Sequence, residues 1–280
     1  MYFVFIDIIY FIFMKKTILF LGLIGLLSLI GFGCKKSVLE PAGPKLVNLE
    51  NVKDSKTAAE KINFVKGSVI EVEQFGGTKR TLNIERFAPD NFASFSWSLK
   101  GDDKKDVVGK VKNFHLNNVH KLYPIAYYPP KEIDDVRTSG IWLCTDTYLA
   151  VNRTKSGTSE DFGFTDSQLY TDMQKDASFK KMIDKLKKVK LEASKTTEVD
   201  LLQKVSDETV DLIVNDKKVQ VDVFKAKNWF GEITVLKNSQ NPLILEMKLD
   251  PNLEVALGKE DYNLLSSLVN YKINVLSNVQ

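Results

Sequence analysis

The chain has 280 residues, 27% of them charged and 44% hydrophobic, with 39 basic against 36 acidic side chains and a net charge of +3. That composition excludes a disordered chain, a collagen-like repeat and a polytopic membrane protein. The basic residues are spread along the sequence rather than gathered in one segment, so no nucleic-acid partner is expected.

The first 33 residues stand apart, with only three charges, Asp7, Lys15 and Lys16, and eight aromatic side chains. From Met14 the order is Met14-Lys15-Lys16, an apolar run from Thr17 to Gly33, then Cys34 followed by Lys35, Lys36 and Ser37. A basic start, an apolar middle and small residues before a cut are the parts of a secretory signal. The closing Ile30-Gly31-Phe32-Gly33-Cys34 resembles the lipobox of a bacterial lipoprotein signal peptide. In that family the bond before the cysteine is cut and the cysteine is acylated on its sulfur and on its new amino group. The resemblance therefore implies a signal peptide over 1–33, palmitate-type acyl chains on Cys34, and a membrane as partner through that lipid. Gly33 fits the position before the cut, while Gly31 and Phe32 depart from the usual aliphatic and small residues. Lys35 stands where some bacteria place an aspartate to retain lipoproteins in the inner membrane, which points to the outer membrane. The competing reading is an uncut anchor, since the 17 residues Thr17 to Gly33 sit at the lower limit of a bilayer span. The earlier apolar run Met1 to Phe13 fits neither pattern, so translation is expected to begin at Met14.

Residues 34–50, with Pro41, Gly43 and Pro44, read as a lipidated tether, and 51–280 as a single β-rich α+β domain with sub-lobes dividing near 165–205. Asp54 is placed to cap a short helix over Ser55 to Ile62, with Ala58, Ala59 and Ile62 on one face. From Ser68 the period changes to two. Two β-favouring runs, Ser68 to Gln74 and Lys79 to Phe87, flank Gly76-Gly77, the composition of a tight hairpin turn. Phe92 to Leu99 alternates small or polar residues with Ala93, Phe95, Trp97 and Leu99, and Val107 to Phe114 resumes the pattern. The N-terminal half is therefore expected to be an antiparallel meander.

His115 and His120 are the only histidines, five residues apart, with no third ligand fixed by a motif. They are weak metal candidates, and neither a metal nor another cofactor is expected. Tyr127-Tyr128-Pro129-Pro130 reads as an extended crossover. Cys144 is the one cysteine besides Cys34. Its stretch, Ser139 to Val151, reads as a strand with the thiol as buried filler.

Helical period appears between Thr165 and Lys195. Asp166 would cap a first turn, and Phe179, Met182, Ile183, Leu186 and Val189 then form an apolar stripe. Lys180, Lys181, Lys185, Lys187, Lys188 and Lys190 occupy the other face, as a solvated surface or as a contact for anionic lipid. Val210 to Val214 and Val219 to Phe224 form a second hairpin about a polar turn. Gly231 to Leu236, Leu243 to Leu249 and Tyr271 to Leu276 supply the last strands, in one curved sheet or two packed ones.

Nucleophile-elbow, zincin, phosphate-loop and dinucleotide motifs are absent from the sequence. The acid pairs Asp134-Asp135 and Glu160-Asp161 read as solvated loops, and Ser156 beside Lys155 as a loop serine. Catalytic residues are therefore assigned nowhere. Three function classes remain, led by a non-catalytic cell-envelope lipoprotein whose β-rich domain binds a partner protein or takes part in assembly. The second is a carrier of an apolar ligand, in a pocket lined by Phe95, Trp97, Trp142 and Tyr148 under the Phe179 to Val189 helix. The third is an envelope hydrolase without a recognisable motif.

Overall fold

The computed structural model describes residues 45–280 apart from 75–76, 90, 101–105, 118–121, 123–130, 135–139, 155, 161, 163–176, 196–197 and 199. The apolar N-terminal run, Cys34, His120, the Tyr127 to Pro130 crossover and the Asp166 cap all lie outside the described residues.

Alternation in the sequence becomes an antiparallel meander of β1 (Val69–Gln74), β2 (Lys79–Ala88), β3 (Phe92–Lys100) and β4 (Asp106–His115). Ile70, Val72, Leu82, Ile84, Phe95, Trp97 and Val111 point to the buried side. Gly77 takes φ 82° at the β1 to β2 turn, the positive value that a tight turn demands of glycine. A three-residue strand, β5 (Glu132–Asp134), adds in parallel to the outer edge of β4.

The remaining strands are β6 (Ser156–Ser159), β7 (Leu201–Val214), β8 (Lys217–Lys227), β9 (Gly231–Leu236), β10 (Ile244–Leu249) and β11 (Tyr271–Ser277). All eleven belong to one sheet in the order β5-β4-β3-β2-β1-β11-β10-β9-β8-β7-β6, and β7 additionally pairs with β11. The α+β, sheet-dominated class expected from the sequence is thus observed. One edge of β11 pairs with β1 along its whole length. Its other edge is divided, Tyr271 and Lys272 meeting β10 antiparallel while Val275 and Leu276 meet Ile213 and Val214 of β7 in parallel. Strands β7 to β11 therefore close into a five-stranded ring, from which β1 to β5 extend.

The β7–β8 hairpin is longer than its apolar run suggested. A bulge between Lys204 and Ser206 interrupts the alternation, and residues 203–211 carry mostly polar side chains on an exposed strand, so only Val210 to Val214 looked like a strand. Its turn has two residues, Asn215 at φ 50° and Asp216 at φ 64°, the left-handed pair that matches strand twist in a hairpin.

Five helices lie among the described residues: α1 (Ser55–Glu60), α2 (Thr145–Thr154), α3 (Ala177–Ser194), α4 (Leu253–Leu257) and α5 (Lys259–Val269). Asp54 caps α1 by accepting from the Thr57 amide at 2.9 Å, as its position indicated. The Ser139 to Val151 stretch is not one strand. Trp142 makes a single bridge to Leu243, and the chain then turns into α2, whose buried Tyr148 and Val151 follow Cys144 at helical spacing. Helices α4 and α5 escaped the period reading because Gly258, at φ 85°, splits them into two short pieces.

The ends of the ring differ. The start of the described chain straps one end, where the Val47 amide donates to the Val279 carbonyl at 2.9 Å. The Asn215 side chain donates to the carbonyls of Val47 at 3.2 Å and Val279 at 2.9 Å and accepts from the Val279 amide at 2.9 Å. Helices α3 to α5 gather at the other end, where Lys190 pairs with Asp200 at 2.8 Å beside the start of β7 and Asn270 caps the end of β10 by accepting from Leu249.

Asn215→Gly keeps the left-handed turn and removes the three side-chain bonds, and is expected to cost about 2 kcal/mol of stability. Asn215→Ala adds a backbone penalty of about 1 kcal/mol. Urea unfolding of the two variants should rank them in that order, and equal midpoints would show that the turn carries no strain.

Candidate functional site

Four aromatic residues were the candidates for a ligand pocket, and the structure distributes them. Phe95 on β3 and Trp142 before α2 meet at 6.0 Å between ring centroids, and Phe87 and Phe64 stand 5.7 and 6.2 Å from the same indole. The Trp142 indole donates from Nε1 to Asn241 Oδ1 at 3.0 Å, which satisfies its polar atom inside the core. Trp97 lies two residues along β3 under the Arg80 guanidinium, 4.6 Å from its ring centroid. Tyr148 packs instead on Phe224 of β8 at 5.6 Å. Protein rings thus surround Phe95 and Trp142, and Trp97 and Tyr148 have partners of their own.

His115 ends β4 opposite Phe92 and is half-buried. Among the described residues no group of three His, Cys, Asp or Glu side chains is placed to hold a metal ion. Asp134 accepts from Asn113 Nδ2 at 3.0 Å, and Ser156 opens β6 rather than lying in a loop.

The chemistry that sequence reasoning passed over centres on Glu160. Read as part of a solvated acidic loop, it is in fact fully buried. Its backbone is stapled on both sides, the amide donating to the Asp200 carbonyl at 2.8 Å and the carbonyl accepting from Asn228 Nδ2 at 2.9 Å. This fixes the side chain against the first turn of α2. There the Cys144 thiol lies 3.0 Å from Thr147 Oγ1, and the Thr147 hydroxyl donates to Glu160 Oε2 at 3.1 Å. The thiol is also 2.9 Å from Asp146 Oδ1. A helical reading of Cys144 to Val151 would have placed Thr147 and Tyr148 on the buried face. Nothing in the local sequence marked Glu160.

This row of thiol, hydroxyl and carboxyl has the groups of a nucleophile and its base but the wrong environment. Burial pushes the Cys144 thiol up from its ordinary value, and the Glu160 charge and the Asp146 hydrogen bond push the same way. The reactive form of a cysteine is the thiolate, so a fully buried, proton-retaining thiol is chemically quiet. The row works as a tie that joins α2 to the segment bordering β7.

Helix α3 is the other charged feature. Met182, Ile183 and Leu186 are buried, as its apolar stripe required. Lys185 and Lys190, both expected to face outward, instead bond within the fold. Lys185 Nζ donates to the Leu257 carbonyl at 2.7 Å and pairs with Asp261 at 2.5 Å, tying the end of α4 to the start of α5. Lys190 pairs with Asp200, which also accepts from Trp229 Nε1 at 3.0 Å. Lys180, Lys181 and Lys188 remain exposed. Together with Ala177, Asp184 and Lys185 they line an open trough of about 460 Å³.

No protein-family model, curated protein or solved structure matches this chain.

Cys144 should resist iodoacetamide at pH 8 in the native protein and react within minutes in 6 M guanidinium, read as a mass increment. Rapid native labelling would overturn the quiet-thiol assignment. Burial and the Glu60 charge raise Tyr148 to about 12. An unfolded tyrosine ionises near pH 10, so the folded state binds the extra proton between pH 10 and 12 and stability falls as pH rises through that window. Tyr148→Phe should flatten that fall by up to about 1.4 kcal/mol per pH unit in urea unfolding.

Proposed function

We propose that the chain is a lipid-anchored cell-envelope protein whose β-rich domain is non-catalytic and binds or assembles with a protein partner. The observation that carries this reading is the order Lys15-Lys16, apolar run, Gly33-Cys34, followed by a chain rich in charge. Two or more acyl chains on Cys34, at about 0.8 kcal/mol per buried methylene, suffice for stable anchoring without a membrane-binding surface on the domain. In keeping with that, among the described residues no helix is long and apolar enough to cross a membrane.

The folded part fits a binding role. Its only described thiol is buried and proton-retaining, and its buried carboxyl, Glu160, is tied to Thr147. The strap at Val47 to Leu49 enters the ring beside Asn215 and Val279. Lys35 after the cysteine favours the outer membrane as the site.

Intact mass of the protein extracted from native membranes should equal the chain from Cys34 to Gln280 plus acyl chains. Cys34→Ala should leave the membrane fraction or keep an uncut leader. An unmodified N-terminus in the native protein would overturn the lipoprotein reading.

A further inference from the structure

Helix α3 has its hydrophobic side committed to the fold, with Met182, Ile183 and Leu186 buried and Lys185 pinned between α4 and α5. Its opposite side is a patterned charge strip. Lys180 and Lys181 form one cationic step, Lys188 a second, and Asp184 lies between them in the same trough. At 1.5 Å per residue the two steps are about two helical turns, or 11 Å, apart. Beyond Lys188 on the same strip comes Leu191, 62% exposed, an apolar side chain at the edge of a basic surface.

We propose that this strip is the surface that meets the partner, and that it takes an acidic helical segment of a protein. The matching segment carries carboxylates two turns apart, a cationic or neutral residue opposite Asp184, and an apolar residue over Leu191. That there is an envelope partner rests on the reading above; the chemistry of the strip does not.

Two features select a protein helix over other anions. A helix that lies on a membrane inserts its apolar face among the lipids, and the apolar face of α3 is already buried in the domain. A uniform polyanion would meet Asp184 with repulsion and would leave Leu191 uncovered, whereas a patterned helix accommodates both.

The test uses the full-length acylated protein in detergent and a fluorescein-labelled synthetic helical peptide with glutamate pairs two turns apart, a lysine midway and a leucine beyond. Anisotropy should show saturable binding that weakens with added salt. Lys180→Glu/Lys181→Glu/Lys188→Glu should weaken it about tenfold or more, and Lys188→Gln alone by a few-fold. Lys217→Glu/Lys218→Glu, at the strap end, should leave it unchanged. Lys180, Lys181 and Lys188 are exposed, so melting curves of the α3 variants should stay close to the parent, and Lys188→Gln keeps the test decisive if the triple variant unfolds.

No saturable binding, equal binding by the α3 variants, or equal binding of a scrambled peptide would each overturn the proposal. So would α3-dependent binding of phosphatidylglycerol vesicles without binding of the peptide. Membrane partition of Cys34→Ala is scored separately. Peptide binding with an unmodified Cys34 sinks the anchor and leaves the strip standing, and an acylated protein that ignores the peptide does the reverse.

Discussion

The structure depends on how one edge of β11 is shared. A strand edge offers a fixed row of amides and carbonyls, and here two strands divide it, β10 over Tyr271 and Lys272 and β7 over Val275 and Leu276. Across that division β10 approaches antiparallel and β7 parallel. A one-residue slip of β7 would turn Leu212 and Val214 outward and bring Ile213 in. The shared edge converts an open sheet into a closed ring and protects strand edges that would otherwise pair with other chains. It also gives the domain its polarity. The hairpin turn at Asn215 and the strap at Val47 come together at one end, and helices α3 to α5 are left at the other.

Closing the ring leaves irregular chain to be held, and buried side-chain amides do much of that work. Asn238 donates to the carbonyls of Ala59 at 3.0 Å and Ile62 at 2.9 Å, which fixes the chain as it leaves α1. Asn241 donates to Ile62 at 3.1 Å and receives the Trp142 indole. Asn228 holds the β8 to β9 turn by accepting from Phe230 and Gly231 while donating to Glu160. Buried amides of this kind are costly to leave unbonded, so each one fixes a loop in a single conformation. The Cys144, Thr147 and Glu160 row belongs to the same class of tie, which explains why a thiol beside a hydroxyl and a carboxyl reads as structure.

Polarity connects the fold to the proposed role. The start of the described chain, Val47, is bonded beside Asn215 and Val279 at one end of the ring. The opposite end combines a rigid helix, fixed by Lys185 and Lys190 ion pairs, with lysines left on its outer side. Fixing the helix from within removes conformational freedom that a partner would otherwise have to order, which favours recognition by a preformed surface.

Much of the local structure was legible in the sequence. Period-two runs located β1 to β4 and β8 because one face of each strand is buried, apolar runs between turns located β9 to β11, and Asp54 marked the start of α1 because a short acid before a helix satisfies its free amides. The apolar stripe of α3 was legible for the same reason. The stretch around Cys144 misled, since the buried run Gly140 to Cys144 carries no period and adjoins the helical spacing that begins at Thr145. For the candidate site, the sequence indicated a buried thiol and a basic helix face. It did not indicate that Glu160 is buried, because that depends on staples to Asp200 and Asn228 from segments distant in the chain. Nor did it distinguish lysines that pair with Asp261 and Asp200 from those that face solvent. By itself the sequence determined what local periodicity and composition encode: the class of the fold, most of its strands, and an N-terminal segment resembling a lipoprotein signal. Only the tertiary structure decided ring closure, the two distinct ends and the burial of Glu160, because each rests on pairing between residues tens to hundreds of positions apart, which no local pattern records.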